Sequence, residues 1–116
     1  MTLRVYGIAH CDTVRKARAF LAEHRVGHEF HDYRKQGVPA AALARWVAAL
    51  GWQALLNRKG TTWRNLDDAQ RAAVGDADSA MALMLRHASV IRRPVVEWAD
   101  GTVTVGFDAR AWSGRC

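Results

Sequence analysis

Two thiols occur in this 116-residue sequence, Cys11 and Cys116, and only Cys11 stands where its surroundings can change its chemistry. It follows a strand-like stretch and precedes a helix-like one, so free N–H groups and the positive end of a helix dipole face its sulfur. Thiols in such positions fall from about 8.5 to values of roughly 3.5 to 7.5, and the ionised sulfur is the nucleophile. Arg15, one turn further on, can hold its guanidinium near the sulfur or near an incoming oxyanion. Asp12 opposes ionisation unless it is occupied in capping the helix, and His10 assists only with its ring turned inward. The residues alone leave a second reading open, because free cysteines are commonly small buried hydrophobes. Cys116, at the other end of the chain, makes neither a disulfide framework nor a C-x-x-C pair with Cys11. It remains a candidate resolving thiol on the last residue. No Cys/His cluster has metal spacing, so no metal site is expected. His28 and His31, three apart in a strand-like stretch, are expected on opposite faces and not as a ligand pair.

The elements that must position Cys11 follow from periodicity. Leu3 to Ile8 alternates as a half-buried strand does. Asp12 and Thr13 are good N-cap residues, and Val14, Ala17, Phe20 and Leu21 recur at helical spacing until Gly27. His28 to Tyr33 reads as a second strand, which a helical crossover makes parallel to the first and right-handed. Pro39 suits a helix start, and Leu43, Trp46, Val47 and Leu50 form a stripe ending at Gly51. A short helix over Trp52 to Leu56 is followed by a polar, turn-like segment, Asn57 to Thr62. Asp67 or Asp68 caps a helix ending near Gly75. Asp78 or Ser79 caps another whose Met81, Leu83, Met84 and Leu85 predict near-complete burial. Val95 to Trp98 and Thr102 to Val105 flank Asp100-Gly101, a two-residue hairpin signal, and Asp108 caps a last short helix. The order predicts an α/β protein with a mixed four-stranded sheet (βαβ … ββα), the layout of the thioredoxin fold, with a helical segment inserted over about 39–88.

Length and composition bound the rest. One domain is expected from 116 residues. Half the residues are hydrophobic and 24% charged, which describes a folded globule and excludes a disordered tail. No apolar run approaches the roughly 20 residues that span a bilayer. The N-terminus lacks the pattern of a secretory signal, so a cytoplasmic protein without a membrane role is expected. The formal charge of +6 favours anionic partners, an acidic protein among them, without choosing one. Its cations are scattered, with Arg58-Lys59 and Arg92-Arg93 among the few adjacent pairs, so no nucleic-acid partner is expected. Of the five tryptophans, Trp46, Trp52, Trp98 and Trp112 are expected to pack, and Trp63 stands apart because it follows the Gly60-Thr61-Thr62 loop.

Three motifs then occur in order. Tyr6-Gly7-Ile8-x-x-Cys11-Asp12-Thr13-Val14-Arg15-Lys16-Ala17, Leu55-Leu56-Asn57-x-x-Gly60-Thr61-Thr62-Trp63-Arg64 and Ile91-x-Arg93-Pro94 together resemble the arsenate reductase-like family that includes ArsC, Spx and YffB. The similarity is closest to the YffB branch and covers nearly the full chain. It implies a thioredoxin-like fold and a glutathione-dependent thiol reductase whose nucleophile is Cys11. Glutathione would be the co-substrate, beside a small thiol or oxyanion substrate, and no metal or nucleotide cofactor is needed. Arg93 matches the family's anion-holding arginine, Pro94 its proline, expected cis, and Arg58 or Lys59 its second anion-holding cation. Arg15 would add a further cation, and Thr13 is a structural residue of the site. The third arginine of the arsenate reductases has no counterpart in Val105-Gly106-Phe107-Asp108. A tetrahedral dianion would then lack a partner worth about 1.5 to 3 kcal/mol, so little arsenate reduction is expected. The resemblance also implies an alternative, a Spx-like regulator that binds RNA polymerase and uses Cys11 as a redox sensor; the missing C-x-x-C pair argues against it.

Overall fold

The computed structural model describes residues 2–116. Its elements run β1 (Arg4–Gly7), α1 (Asp12–Glu23), β2 (Glu29–Asp32), α2 (Tyr33–Gln36), α3 (Ala40–Leu50), α4 (Trp52–Leu55), α5 (Thr61–Asn65), α6 (Asp68–Ala72), α7 (Ala77–Arg86), a 3-10 turn (Ala88–Val90), β3 (Val95–Glu97), β4 (Val103–Val105) and α8 (Ala109–Ser113). The chain folds as two compact units. One comprises the segments up to Gln36 and from Arg93 onward; the other is Gly37–Arg92, slightly longer at both ends than the insert expected from sequence.

The first unit holds the expected mixed sheet, in the order β2-β1-β3-β4. β1 pairs parallel with β2, opposing Val5 to Phe30 and Gly7 to Asp32. It pairs antiparallel with β3, opposing Val5 to Val96 and Tyr6 to Val95, and β3 with β4 forms the hairpin. Leu3, Val5, Ala17, Leu21, Val96, Trp98 and Trp112 make a buried cluster, with Phe20, Phe30 and Phe107 packed against it. The alternation of Leu3 to Ile8 predicts a half-buried strand, yet β1 is buried from Val5 through Gly7. A strand with neighbours on both sides and helices over the sheet loses its solvent face, which periodicity alone does not reveal. β2 is shorter than expected: His28 precedes it and Tyr33 already opens α2. The hairpin turn holds three residues, not two. Trp98 N–H donates to Thr102 O at 2.8 Å across Ala99, Asp100 and Gly101, and Gly101 has φ +91, the left-handed position such a loop requires. Asp108 caps α8 as expected, accepting from the Arg110 and Ala111 amides.

In the second unit, short helices are held by their caps. Asp67 caps α6 with Gln70 completing a reciprocal box, and Asp76, not Asp78 or Ser79, caps α7 with Ser79 as the box partner. Ser79 bonds back to the start of the helix, so its cap-like chemistry is used three residues into the element. α7 buries Ala80, Leu83 and Met84, while Leu85 is 46% exposed. The helix is therefore amphipathic and not buried all round. Thr61 and Thr62, expected in a loop, begin α5.

Candidate functional site

β1 ends at Gly7, and the chain turns so that Cys11 N–H donates to Ile8 O at 3.1 Å and Arg15 N–H to Cys11 O at 3.0 Å. Cys11 itself, with φ −79 and ψ 126, takes the N-cap position of α1, which sequence reasoning assigned to Asp12 or Thr13. No side chain makes a capping hydrogen bond there, so no carboxylate or hydroxyl competes with the sulfur for the field of the first-turn amides. A β-carbon on Gly7 would meet Val14 Cγ2 at 2.8 Å. The absence of one lets the first turn of α1 lie against the end of β1 and fixes where the sulfur stands.

The Cys11 sulfur is half-buried, with the Val14 and Thr13 amides and the Arg93 guanidinium near enough to favour its ionised form. Burial pushes the thiol up; the Val14 amide, the Arg93 guanidinium and the Thr13 amide together outweigh it. The net result is a thiol more acidic than usual. Arg93 arrives from a distant part of the chain. It precedes β3, which runs antiparallel to β1, so it reaches the edge of the sheet at which β1 ends. The Arg93–Pro94 peptide is cis, as the resemblance implies, and Pro94 O accepts from Gly106 N–H at 2.8 Å.

Arg15 is placed differently. Its guanidinium donates to Asp12 Oδ1 at 3.2 Å and to His10 O at 3.3 Å, as an exposed strap over the turn. Thr13 contributes through its backbone amide. Tyr33, which sequence reasoning did not single out, is buried and interacts electrostatically with Arg93. Burial, with Tyr6 and Glu97 nearby, holds its hydroxyl well above the usual phenol range. No spacing in the sequence points to it, because its place depends on packing. Cys116, the candidate resolving thiol, is not brought to Cys11. It lines a recess of about 450 Å³ with Leu3, Val26, Trp98 and Arg115, at the start of β1, whereas Cys11 follows its end. Four strand residues separate the two by roughly 13 Å along the strand. Among the described residues, no group of three or more His, Cys, Asp or Glu is arranged to hold a metal, and no helix is long and apolar enough to cross a membrane. His28 accepts from Arg18 Nε at 3.2 Å, while His31 lies against the Tyr6 ring.

Arg58 and Lys59 belong to the second unit. Asn57 Oδ1 accepts from Lys59 N–H at 3.1 Å and closes the turn. A β-carbon on Gly60 would meet the Asn57 side chain at 2.8 Å. The Arg58 guanidinium carbon lies over two rings, 5.6 Å from the Trp52 centroid and 5.9 Å from that of Trp63. Trp46 is fully buried, but Trp52 and Trp63 are only partly so, and Trp52 is not the simple packing residue expected of it.

Comparison with known proteins bears on family and fold. The model of the ArsC family matches residues 6–114. An uncharacterized protein of Haemophilus influenzae is 36% identical over 110 residues, 95% of each chain. A solved YffB protein is 48% identical and superposes with a TM-score of 0.91, covering 97% of both chains. An ArsC-related protein from Brucella melitensis is 44% identical with a TM-score of 0.76, covering 98% of this chain and 93% of that one.

Proposed function

This chain belongs to the ArsC family, and from that premise we propose that it is a glutathione-dependent thiol reductase in which Cys11 is the nucleophile. The observation that carries the reading is the place of Cys11, at the N-cap of α1 and beside the Arg93 guanidinium, where the Val14 and Thr13 amides and that charge favour a thiol more acidic than usual. A thiolate held by donors needs no separate base to become reactive.

The reaction runs by thiol–disulfide exchange. The Cys11 thiolate attacks one sulfur of a substrate disulfide, the second half leaves as a thiolate, and Cys11 is left in a mixed disulfide. A glutathione thiolate attacks the Cys11 sulfur and expels the remaining half of the substrate. A second glutathione thiolate attacks the glutathione sulfur, giving oxidised glutathione and restoring Cys11. Two electrons pass from two glutathiones to one disulfide, and the two glutathione protons end on the two product thiols. Arg93 stabilises the charged sulfur at the start and end of the cycle, while Arg15 adds positive potential over the turn. Pro94 and Thr13 hold the frame. The reading places the chain in the reducing cytoplasm, where thiols stay free, and needs neither a metal nor a nucleotide.

The test is direct. Purified protein mixed with oxidised glutathione should gain one glutathione on Cys11 by mass, and reduced glutathione should remove it. An adduct confined to Cys116, or one that persists in Cys11→Ser, overturns the reading.

A further inference from the structure

The placement of Arg58 separates it from its neighbour Lys59. Its charge lies over two half-exposed indoles, and ring faces attract a cation without offering an acceptor lone pair. Among the described residues no side-chain hydrogen bond or ion pair engages its guanidinium. The rings therefore restrain the group while leaving its N–H donors to a ligand. The backbone beneath is restrained too, by the Asn57–Lys59 bond and by the tight approach of Gly60 to Asn57. Lys59, on the same turn, is exposed and has no such ring contact.

We propose that Trp52 and Trp63 are positioning residues that hold the Arg58 guanidinium for a planar carboxylate, so that Arg58 and not Lys59 is the anion-binding cation of the second unit. A guanidinium presents a rigid planar fork that matches a carboxylate in two parallel bonds, whereas an ammonium is a point charge on a flexible stem. Pre-restraint by the rings lowers the ordering cost of that match. The ligand class is a carboxylate-bearing thiol or peptide. Naming glutathione as its example rests on the proposed function, and the carboxylate site itself does not.

The test is equilibrium binding to the full chain by calorimetry, with three probes: S-methylglutathione, which has the carboxylates but no reactive thiol, succinate, and sulfate. Arg58→Ala should weaken S-methylglutathione about tenfold or more and Arg58→Lys nearly as much. Trp63→Leu and Trp52→Leu should each weaken it about threefold to fivefold, with circular dichroism unchanged. The loss in Arg58→Ala should exceed that in Lys59→Ala at least fivefold, and sulfate should bind more weakly than succinate. If a leucine variant loses its fold, Trp63→Phe, which keeps a weaker ring, should show an intermediate loss. Equal losses at Arg58 and Lys59, full affinity without either ring, or sulfate binding as well as succinate overturns the proposal. Succinate binding that depends on Arg58 while S-methylglutathione fails to bind leaves the carboxylate site standing and removes glutathione. Binding of neither overturns both.

Discussion

The two units each present an arginine, and they restrain it by opposite means. In the sheet unit Arg93 is half-buried and stands beside the Cys11 sulfur, at a place set by the register of β3 on β1. In the helical unit Arg58 is exposed and lies over two indoles on a turn closed by an asparagine side chain. The first guanidinium acts on a protein atom and, after the Val14 amide, favours its ionised form. The second is held without consuming its donors. Strand pairing suits a cation that must stabilise a fixed sulfur, and aromatic faces suit one that must meet a ligand from outside.

This contrast is broken most severely at the nucleophile. Cys11→Ser should lower thiol transfer with glutathione by roughly a thousandfold or more, measured by coupled oxidation of a reduced nicotinamide, while retaining the binding of S-methylglutathione. Loss of both together would mean the two arginines do not have separate tasks. Arg93→Ala comes next. Removing a charge-assisted interaction worth about 1.5 kcal/mol or more should raise the thiol's titration and slow alkylation of Cys11 by iodoacetamide at neutral pH by about tenfold or more. Because the folded thiol is the more acidic, the wild-type rate should reach its plateau at lower pH than that of an ordinary thiol, and the variant's plateau should move upward.

Two glycines sharpen the comparison on stability. Gly7→Ala drives a methyl into Val14 of a packed helix and should cost about 1 to 3 kcal/mol. Gly60→Ala meets only the amide of a partly exposed Asn57, which can rotate away at the loss of one turn bond, about 1 kcal/mol. Denaturant melts give both, and equal costs would show that the turn under Arg58 is as rigid as the one under Cys11. The smallest effect is in acid. Burial, with Arg18 nearby, holds His28 below its usual value, so its unfolded form binds the proton more readily. The stability due to neutral His28 is present above the ordinary imidazole value of about 6.5 and is lost as pH falls through the folded value. Asp76 is lowered by the Ser79 side-chain and backbone bonds, so its contribution survives to the carboxylate range and is lost only below it. His28→Gln should flatten the melting temperature near pH 6 and leave the loss below pH 4, to which Asp76 contributes.

The two units also differ in how much of them could be read beforehand. Long periodic runs gave β1, α1, α3 and the hairpin, and the position of Cys11 between strand and helix identified the sulfur. Three motifs in order supplied Arg93 and the cis Pro94, which no local pattern would have joined to residue 11. The cap of α1 was misread because Cys11 itself takes the place where an oxygen-bearing side chain is the usual occupant. α5 was missed because five residues are too few to show a period, and Asp76 was overlooked beside two nearer candidates. Neither the Trp52–Arg58–Trp63 contact nor the place of Tyr33 was legible, since both depend on packing between residues that no spacing rule connects.

The pairing of β3 with β1 also bears on how the molecule matures. Tyr6 meets Val95 only after the intervening chain has closed a loop of nearly ninety positions, a contact of the kind that forms late because its entropy must be met before it yields anything. The amides of α1 are local and present as soon as that helix forms, but the guanidinium of residue 93 is not. A half-made chain therefore carries a duller sulfur than the finished one, and full reactivity is withheld until the sheet is complete. Thiol labelling during refolding would read that moment directly.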